Sequence, residues 1–160
     1  MSIREIEITL IDGTKTTFGA LGKGPVLVVN VASRCGLTPQ YEALEALQKT
    51  YGPRGLTVVG MPSDQFKQEL ASNEAVAEYC SMTWGVTFPM TEKIKVNGRN
   101  RHELYKTLVK TKDARGLAGP VMWNFEKFLV NPDGSIVRFR PTTKPDDPSV
   151  IAAIEAALGK

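Results

Sequence analysis

Cysteine and histidine are scarce in this chain of 160 residues, with two of the first and one of the second. Two cysteines cannot staple a small disulfide-built fold, and with a single histidine they fall short of a four-ligand structural zinc site. Long apolar runs are also missing. The longest, Val150 to Ile154, is about a quarter of the ~20 residues that a membrane-spanning helix needs. The first residues, Met1-Ser2-Ile3-Arg4-Glu5, hold nothing like the apolar stretch of a secretory signal. The cytoplasm is therefore the expected location, and in that compartment both cysteines are expected as thiols unless chemistry makes them otherwise. Neither sign of charge dominates. Twenty Lys+Arg against 17 Asp+Glu leave a net charge of +3, too weak and too dispersed to argue for nucleic acid. Repeats, low-complexity tracts and linkers are absent, Gly52, Gly55 and Gly60 spell no dinucleotide fingerprint, and no phosphate-cradling loop occurs. What is present, 42% hydrophobic and 23% charged residues, suits one globular domain over residues 1–160.

The pattern along the chain alternates strands with helices. Ile6 to Leu10 and Lys15 to Phe18 flank the turn signal Asp12-Gly13. Pro25 to Ala32 is a nearly continuous β-branched run, the mark of a strand buried on both faces. Thr38 is placed to cap a helix with Pro39 at its first position and Tyr41, Leu44, Leu47 and Tyr51 on one face. Leu56 to Met61 reads as a second buried strand, and Ser72 as the cap of a helix reaching about Met82. A strand is expected within Phe88 to Val96, ending at Asn97-Gly98, and a short helix over Glu103 to Lys110. Phe125 to Val130 and Ser135 to Arg140 pair across Asn131-Pro132-Asp133-Gly134, and Asp147-Pro148 opens a last helix. The order predicts an α/β, thioredoxin-like fold: a central mixed sheet flanked by helices, with an N-terminal β-hairpin. A fold alone does not decide a function.

Cys35 follows a buried strand and precedes a helix, at the carboxyl end of the sheet where α/β proteins keep their clefts. Free N–H groups and the partial positive charge of a helix start favour an anion, and a thiolate is the nucleophilic form of cysteine. A buried structural cysteine is the commoner case, but this position and the room beside Gly36 favour a reactive one. Cys35-Gly36-Leu37-Thr38 lacks the second cysteine of a CxxC motif, which argues against a thiol–disulfide reductase.

The segment Asn30-Val31-Ala32-Ser33-Arg34-Cys35-Gly36-Leu37-Thr38 resembles the active-site stretch of the glutathione peroxidase family, with Cys where some members carry selenocysteine. Met61-Pro62-Ser63-Asp64-Gln65-Phe66 is similar to that family's P-x-N-Q-F stretch, Trp123 to Val130 to its W-N-F-x-K-F motif, and Gly85 to Pro89 to a fourth segment. The resemblance runs in order from about Ile8 to the C-terminus. It implies a thiol peroxidase acting on hydrogen peroxide and on organic or lipid hydroperoxides, with a catalytic tetrad of Cys35, Gln65, Trp123 and Asn124. The side-chain amides and the indole would supply neutral N–H donors around the sulfur. No cofactor is implied.

Oxidation by peroxide would leave Cys35 as a sulfenic acid, which condenses with a second thiol. Cys80 is the other thiol in the sequence. Two-cysteine, thioredoxin-dependent relatives carry a resolving cysteine in its region, so the resemblance implies that Cys80 resolves and thioredoxin reduces the disulfide, with glutathione the less expected reductant. Core filling on an inward helix face is the alternative role for Cys80. If it resolves, local unfolding of its helix is expected, with a mobile flank at Lys67 to Ser72. A peroxide sensor that passes oxidation to a partner protein would share the same Cys35. Asp64 stands where the family usually has Asn. The short stretch between Leu108 and Trp123 lacks the insertion of tetrameric relatives, which points to a monomer. His102, Arg138 and Arg140 are read as solvated surface.

Overall fold

The computed structural model describes residues 2–159. The first hairpin joins β1 (Glu7–Thr9) to β2 (Lys15–Thr17), antiparallel, with Ile8 opposite Thr16. Asp12 Oδ1 accepts the Thr14 N–H at 3.0 Å, and Gly13 adopts φ +93°, a value that residues with a Cβ rarely tolerate. The second strand is shorter than expected because Phe18 turns inward to open a single helical turn, α1 (Phe18–Leu21).

β3 (Val26–Val31) is buried along its whole length. Its β-branched residues alternate between two cores. Leu27, Val29 and Val31 pack with Tyr41 and Leu44 of α2 (Gln40–Tyr51), whereas Val26 and Val28 join a second cluster. The chain returns through α2 to β4 (Thr57–Pro62), parallel to β3 with Val28 opposite Val59. Next comes α3 (Asn73–Tyr79), capped as expected by Ser72, whose Oγ accepts the Ala75 N–H at 3.1 Å. A five-residue π turn, Cys80–Trp84, follows it. α4 (Glu103–Leu108) covers the second core with Leu104, Tyr105 and Leu108. β5 (Lys127–Val130) and β6 (Ile136–Phe139) extend the sheet antiparallel, giving the order β4-β3-β5-β6. α5 (Pro148–Ala157), capped by Asp147, buries Val150 and Ile154 against the α2 side. A mixed sheet with helices on both faces and a leading hairpin is the thioredoxin-like arrangement. Among the described residues no helix is long and apolar enough to cross a membrane.

Three expectations need correction. The stretch from Phe88 to Val96 is not a strand. It makes only single bridges, Met90 to Gly60 and Thr91 to Leu10, because its backbone divides its hydrogen bonds between β4 and the first hairpin. His102 is half-buried and caps α4, with Nδ1 accepting the Leu104 N–H at 3.0 Å; burial lowers its pKa from the usual histidine value. Arg138 is buried with Glu126, an ion pair to which the half-buried Arg140 adds a second guanidinium at 2.7 Å. Two backbone carbonyls, of Thr111 at 3.0 Å and Pro120 at 3.1 Å, take further Arg138 N–H groups, so the long loop after α4 is tied to β6.

Lys127 is fully buried in β5. Its Nζ donates to the carbonyls of Phe125 at 2.6 Å and Pro141 at 3.0 Å, and Gln40 Nε2 adds a second donor to Pro141 at 2.9 Å. Burial pulls its ammonium down to about 7, with the Glu126 charge acting in the opposite direction. Above that pH the folded chain has released a proton that the unfolded chain keeps until near pH 10.5. The unfolded state therefore binds more protons, and this group's contribution to stability rises with pH. From pH 7.5 to 9, urea unfolding is expected to show the wild-type gaining about 1 kcal/mol per pH unit relative to Lys127→Met. Parallel pH profiles for the two proteins would refute a neutral buried Lys127.

Candidate active site

Cys35 lies in the loop that leaves the carboxyl end of β3, and its side chain is nearly buried, at 8% exposure. Two donors converge on its sulfur. The Leu37 backbone N–H reaches Sγ at 3.3 Å, and the Trp123 indole Nε1–H reaches it at 3.2 Å. A Cβ added to Gly36 would meet nothing within 4 Å, so the backbone next to the sulfur faces open space. Thr38 is not a helix cap. Its Oγ1 accepts the Cys35 N–H at 2.9 Å and donates to the Ala32 carbonyl at 2.9 Å. That hydroxyl is consumed in closing the cysteine loop, so α2 starts at Gln40 with Pro39 in the cap position and no side-chain cap.

Trp123 comes from the far end of the sequence and is held by Asn30. This asparagine is the penultimate residue of β3, at its carboxyl end, with no exposure to solvent. Its Nδ2 donates to the Trp123 carbonyl at 3.1 Å, its Oδ1 accepts the Glu126 N–H at 3.0 Å, and its backbone carbonyl accepts the Phe125 N–H at 2.6 Å. Phe125 meanwhile adopts φ +68°, an outlier for a bulky residue, with its buried ring edge-on to Tyr41 at 5.5 Å. Phe66 lies against the Trp123 indole with ring centroids 5.1 Å apart. Sequence reasoning did not assign Asn30 a role. The available signal was a lone amide inside an apolar strand, since a buried amide must find partners.

Gln65 and Asn124 are near these elements, but neither donates to the sulfur. Gln65 Oε1 accepts the N–H groups of Val96 at 2.6 Å and Asn97 at 2.8 Å, while its Nε2 donates to the Asn97 carbonyl at 2.9 Å. The amide is drawn away because a backbone edge offers it three matched bonds. Asn97 then pairs its own amide with Val121, accepting its N–H at 2.8 Å and donating to its carbonyl at 2.7 Å. Gln65 thus steadies the segment that leads to Trp123. Asn124 is fully buried, and its Nδ2 donates to Gln68 Oε1 at 3.0 Å. The Gln68 carbonyl in turn accepts the N–H of Arg34, the neighbour of Cys35, at 2.8 Å. Gln68 and Asn97 are further positioning residues that the sequence did not reveal. Asp64 is exposed.

Cys80 sits where α3 passes into the π turn, only 2% exposed, and shares one hydrophobic cluster with Cys35. Both cysteines are free thiols. Burial pushes the Cys80 thiol up to about 11, and the charge of Glu69 acts in the same direction, against a lowering contribution from the Tyr41 hydroxyl. Of the residues in α3 only Val76 is buried. Beyond the turn the chain is pinned again, because Glu45 of α2 accepts the Thr87 N–H at 2.9 Å. In a Cys35→Ser background at pH 7, iodoacetamide is expected to label Cys80 at least about 100-fold more slowly in the folded chain than in urea, because little thiolate is present at a pKa near 11. Similar rates would show that the resting fold already opens at Cys80.

Residues 3–109 match the protein family described as glutathione peroxidase. The chain is 45% identical to the thioredoxin/glutathione peroxidase BtuE of Escherichia coli, over 94% of its own length and 93% of that protein. It is 47% identical to the hydroperoxy fatty acid reductase Gpx2 of Synechocystis, over 95% and 96% of the two chains. A solved structure of T. cruzi GPX1 is similar with a TM-score of 0.75 at 30% identity, covering 99% of this chain and 97% of that one.

Proposed function

Given that this chain belongs to the glutathione peroxidase family and is a hydroperoxide reductase, we propose that Cys35 carries the reaction and Cys80 completes it. The observation that carries this reading is the Trp123 indole donating to the Cys35 sulfur at 3.2 Å across 88 positions of sequence. Attack by the Cys35 thiolate on one oxygen of the O–O bond forms an S–O bond and expels the other oxygen, which leaves as water or alcohol on taking a proton. The Leu37 and Trp123 N–H groups stabilise negative charge on the sulfur before the attack, and being already in position they need no reorganisation. Gln65, Asn124 and Asn30 act by holding the segments that carry those donors.

The donors are neutral, and the rim is apolar. Trp123 is 39% exposed and Met122 64%, with Phe66 and Leu37 partly buried nearby. Such a rim suits organic and lipid hydroperoxides as well as hydrogen peroxide, in keeping with the name of the Synechocystis relative. Cys35 sulfenic acid then condenses with Cys80, and thioredoxin reduces the disulfide, in keeping with the name of the E. coli relative. For the two sulfurs to bond, the Cα atoms must approach within about 7 Å. The segment from α3 through the π turn is the part that yields, because it buries only Val76 and Cys80. Both cysteines belong to one chain, so the cycle needs no partner subunit.

Replacing Cys35 by Ser is expected to abolish peroxide turnover, and unchanged consumption would reject the assignment. Cys80→Ser is expected to consume one equivalent of peroxide and then stall with thioredoxin; full cycling would point to an external thiol such as glutathione. Trp123→Phe keeps the ring and removes the donor. It is expected to lower the rate constant of Cys35 oxidation by about tenfold or more, the range for a hydrogen bond to a charged group. An unaltered rate constant in stopped-flow measurements would remove the indole from the mechanism.

A further inference from the structure

Beneath the Cys35 loop lies a cluster of buried polar groups that the reaction as derived above leaves unused. Glu69 is 8% exposed. One of its oxygens, Oε1, accepts two backbone N–H groups, from Ser33 at 3.0 Å and from Leu70 at 2.8 Å. The other, Oε2, is buried with no hydrogen-bond partner of ordinary geometry, and the Ser33 side chain also acts on this carboxylate. The Tyr41 hydroxyl lies against the Cys80 thiol, and both groups feel the charge of Glu69. Ser33 is two residues before Cys35 in the same loop. A carboxylate is thus fixed by one oxygen to the loop of the first cysteine while its other oxygen lies in the surroundings of the second.

We propose that Glu69 is the base that takes the proton of Cys80 when that thiol attacks oxidised Cys35, and the acid that returns it to the departing hydroxyl. This rests on the reading of Cys80 as the resolving cysteine. The step balances within the chain. The Cys80 S–H bond breaks and its proton passes to Glu69 Oε2; the sulfur–sulfur bond forms as the Cys35 S–O bond breaks; and the proton then joins the leaving hydroxide as one water. The Cys80 sulfur is oxidised and the Cys35 sulfur reduced, so no outside oxidant or reductant enters. Because Oε1 is anchored on the Ser33 N–H, the carboxylate stays with the loop that carries Cys35 while the segment carrying Cys80 swings in, and the thiol brings its proton to a base held on that loop.

The electrostatic surroundings are consistent with this role. Burial raises the Glu69 carboxyl above the usual carboxylate value, and the hydrogen bonds from Ser33 and Leu70 and the Lys93 charge oppose that rise. Lys93 is close by, its Nζ donating to the Leu70 carbonyl at 2.7 Å and the Ala71 carbonyl at 3.2 Å. The other titratable groups facing this pocket are Tyr41 and Cys80, with Tyr79 acting on Tyr41. A thiol as weakly acidic as Cys80 needs a base to react at neutral pH, and a clamp for Ser33 alone would be served equally well by a neutral glutamine.

That difference supplies the test. Reduced full-length chain is mixed with one equivalent of hydrogen peroxide, quenched at intervals, and assayed for Cys35 sulfenic acid with dimedone and for the disulfide by mass spectrometry. Glu69→Gln keeps the acceptor for Ser33 and Leu70. It is expected to form sulfenic acid within twofold of the wild-type rate but to form the disulfide at least tenfold more slowly at pH 7. Its disulfide rate is expected to climb tenfold per pH unit, while the wild-type rate stays flat from about pH 6.5 to 8.5. A wild-type rate and profile in Glu69→Gln overturns this assignment alone, and so does equal slowing of both steps, which marks a structural clamp. If the variant does not fold, the wild-type profile decides: a flat rate supports a base, and a tenfold rise per unit overturns it. A wild-type chain that forms no Cys35–Cys80 disulfide overturns the resolving role of Cys80 and this assignment with it.

Discussion

A single buried amide holds the site together. Asn30 occupies a position in β3 where the neighbouring residues are apolar and solvent is excluded, so each of its polar atoms must find a partner inside the protein or incur a penalty of about 1–3 kcal/mol. The partners are the backbone of the segment that carries Trp123. The strand that delivers Cys35 therefore also anchors the residue that donates to its sulfur, and the distance between them is set by one side chain on a rigid sheet. The positive φ of Phe125 is the local strain that this attachment tolerates.

Around that anchor the loops hold one another through paired amides. Gln65 grips residues 96–97, Asn97 grips Val121, and Gln68 links Asn124 to the residue preceding Cys35. Below them, Lys127 and Gln40 share the Pro141 carbonyl, and Glu126 is enclosed by two arginines. Few of these bonds are exposed. In a low-dielectric setting such networks are stiff when every member is satisfied, which is what a reaction needing preset donors requires. Three buried polar atoms without a hydrogen-bond partner of ordinary geometry, on Ser33, Tyr41 and Glu69, lie instead in the surroundings of Cys80. The two cysteines share a hydrophobic cluster but differ in their settings. The first has donors aimed at its sulfur from a rigid frame, and the second is buried at the end of a lightly held helix.

Much of the fold could be read from the chain, since strand burial, hairpin turns and helix caps depend on residues a few positions apart. The β-branched run from Pro25 to Ala32, the turn at Asp12-Gly13, and the caps Ser72 and Asp147 are where local rules put them. The motifs around Cys35, Gln65 and Trp123 likewise identified the segments that meet at the site. Polar side chains followed local rules less closely. Thr38 meets every rule for a helix cap, yet its hydroxyl goes to the cysteine loop. Gln65 turns from the sulfur to a backbone edge, Arg138 goes inward to Glu126, and Phe88 to Val96 divides its hydrogen bonds between two sheets.

By itself, then, the sequence determined the order of elements, the faces they bury and the family to which the chemistry belongs, because hydrophobic periodicity and capping act over short separations. Only the tertiary structure decided which donor each acceptor takes, that Asn30 carries Trp123, and that Glu69 lies between the surroundings of the two thiols. A polar atom deep in a fold chooses among partners from distant parts of the chain, and the choice depends on geometry that exists only once the sheet has formed.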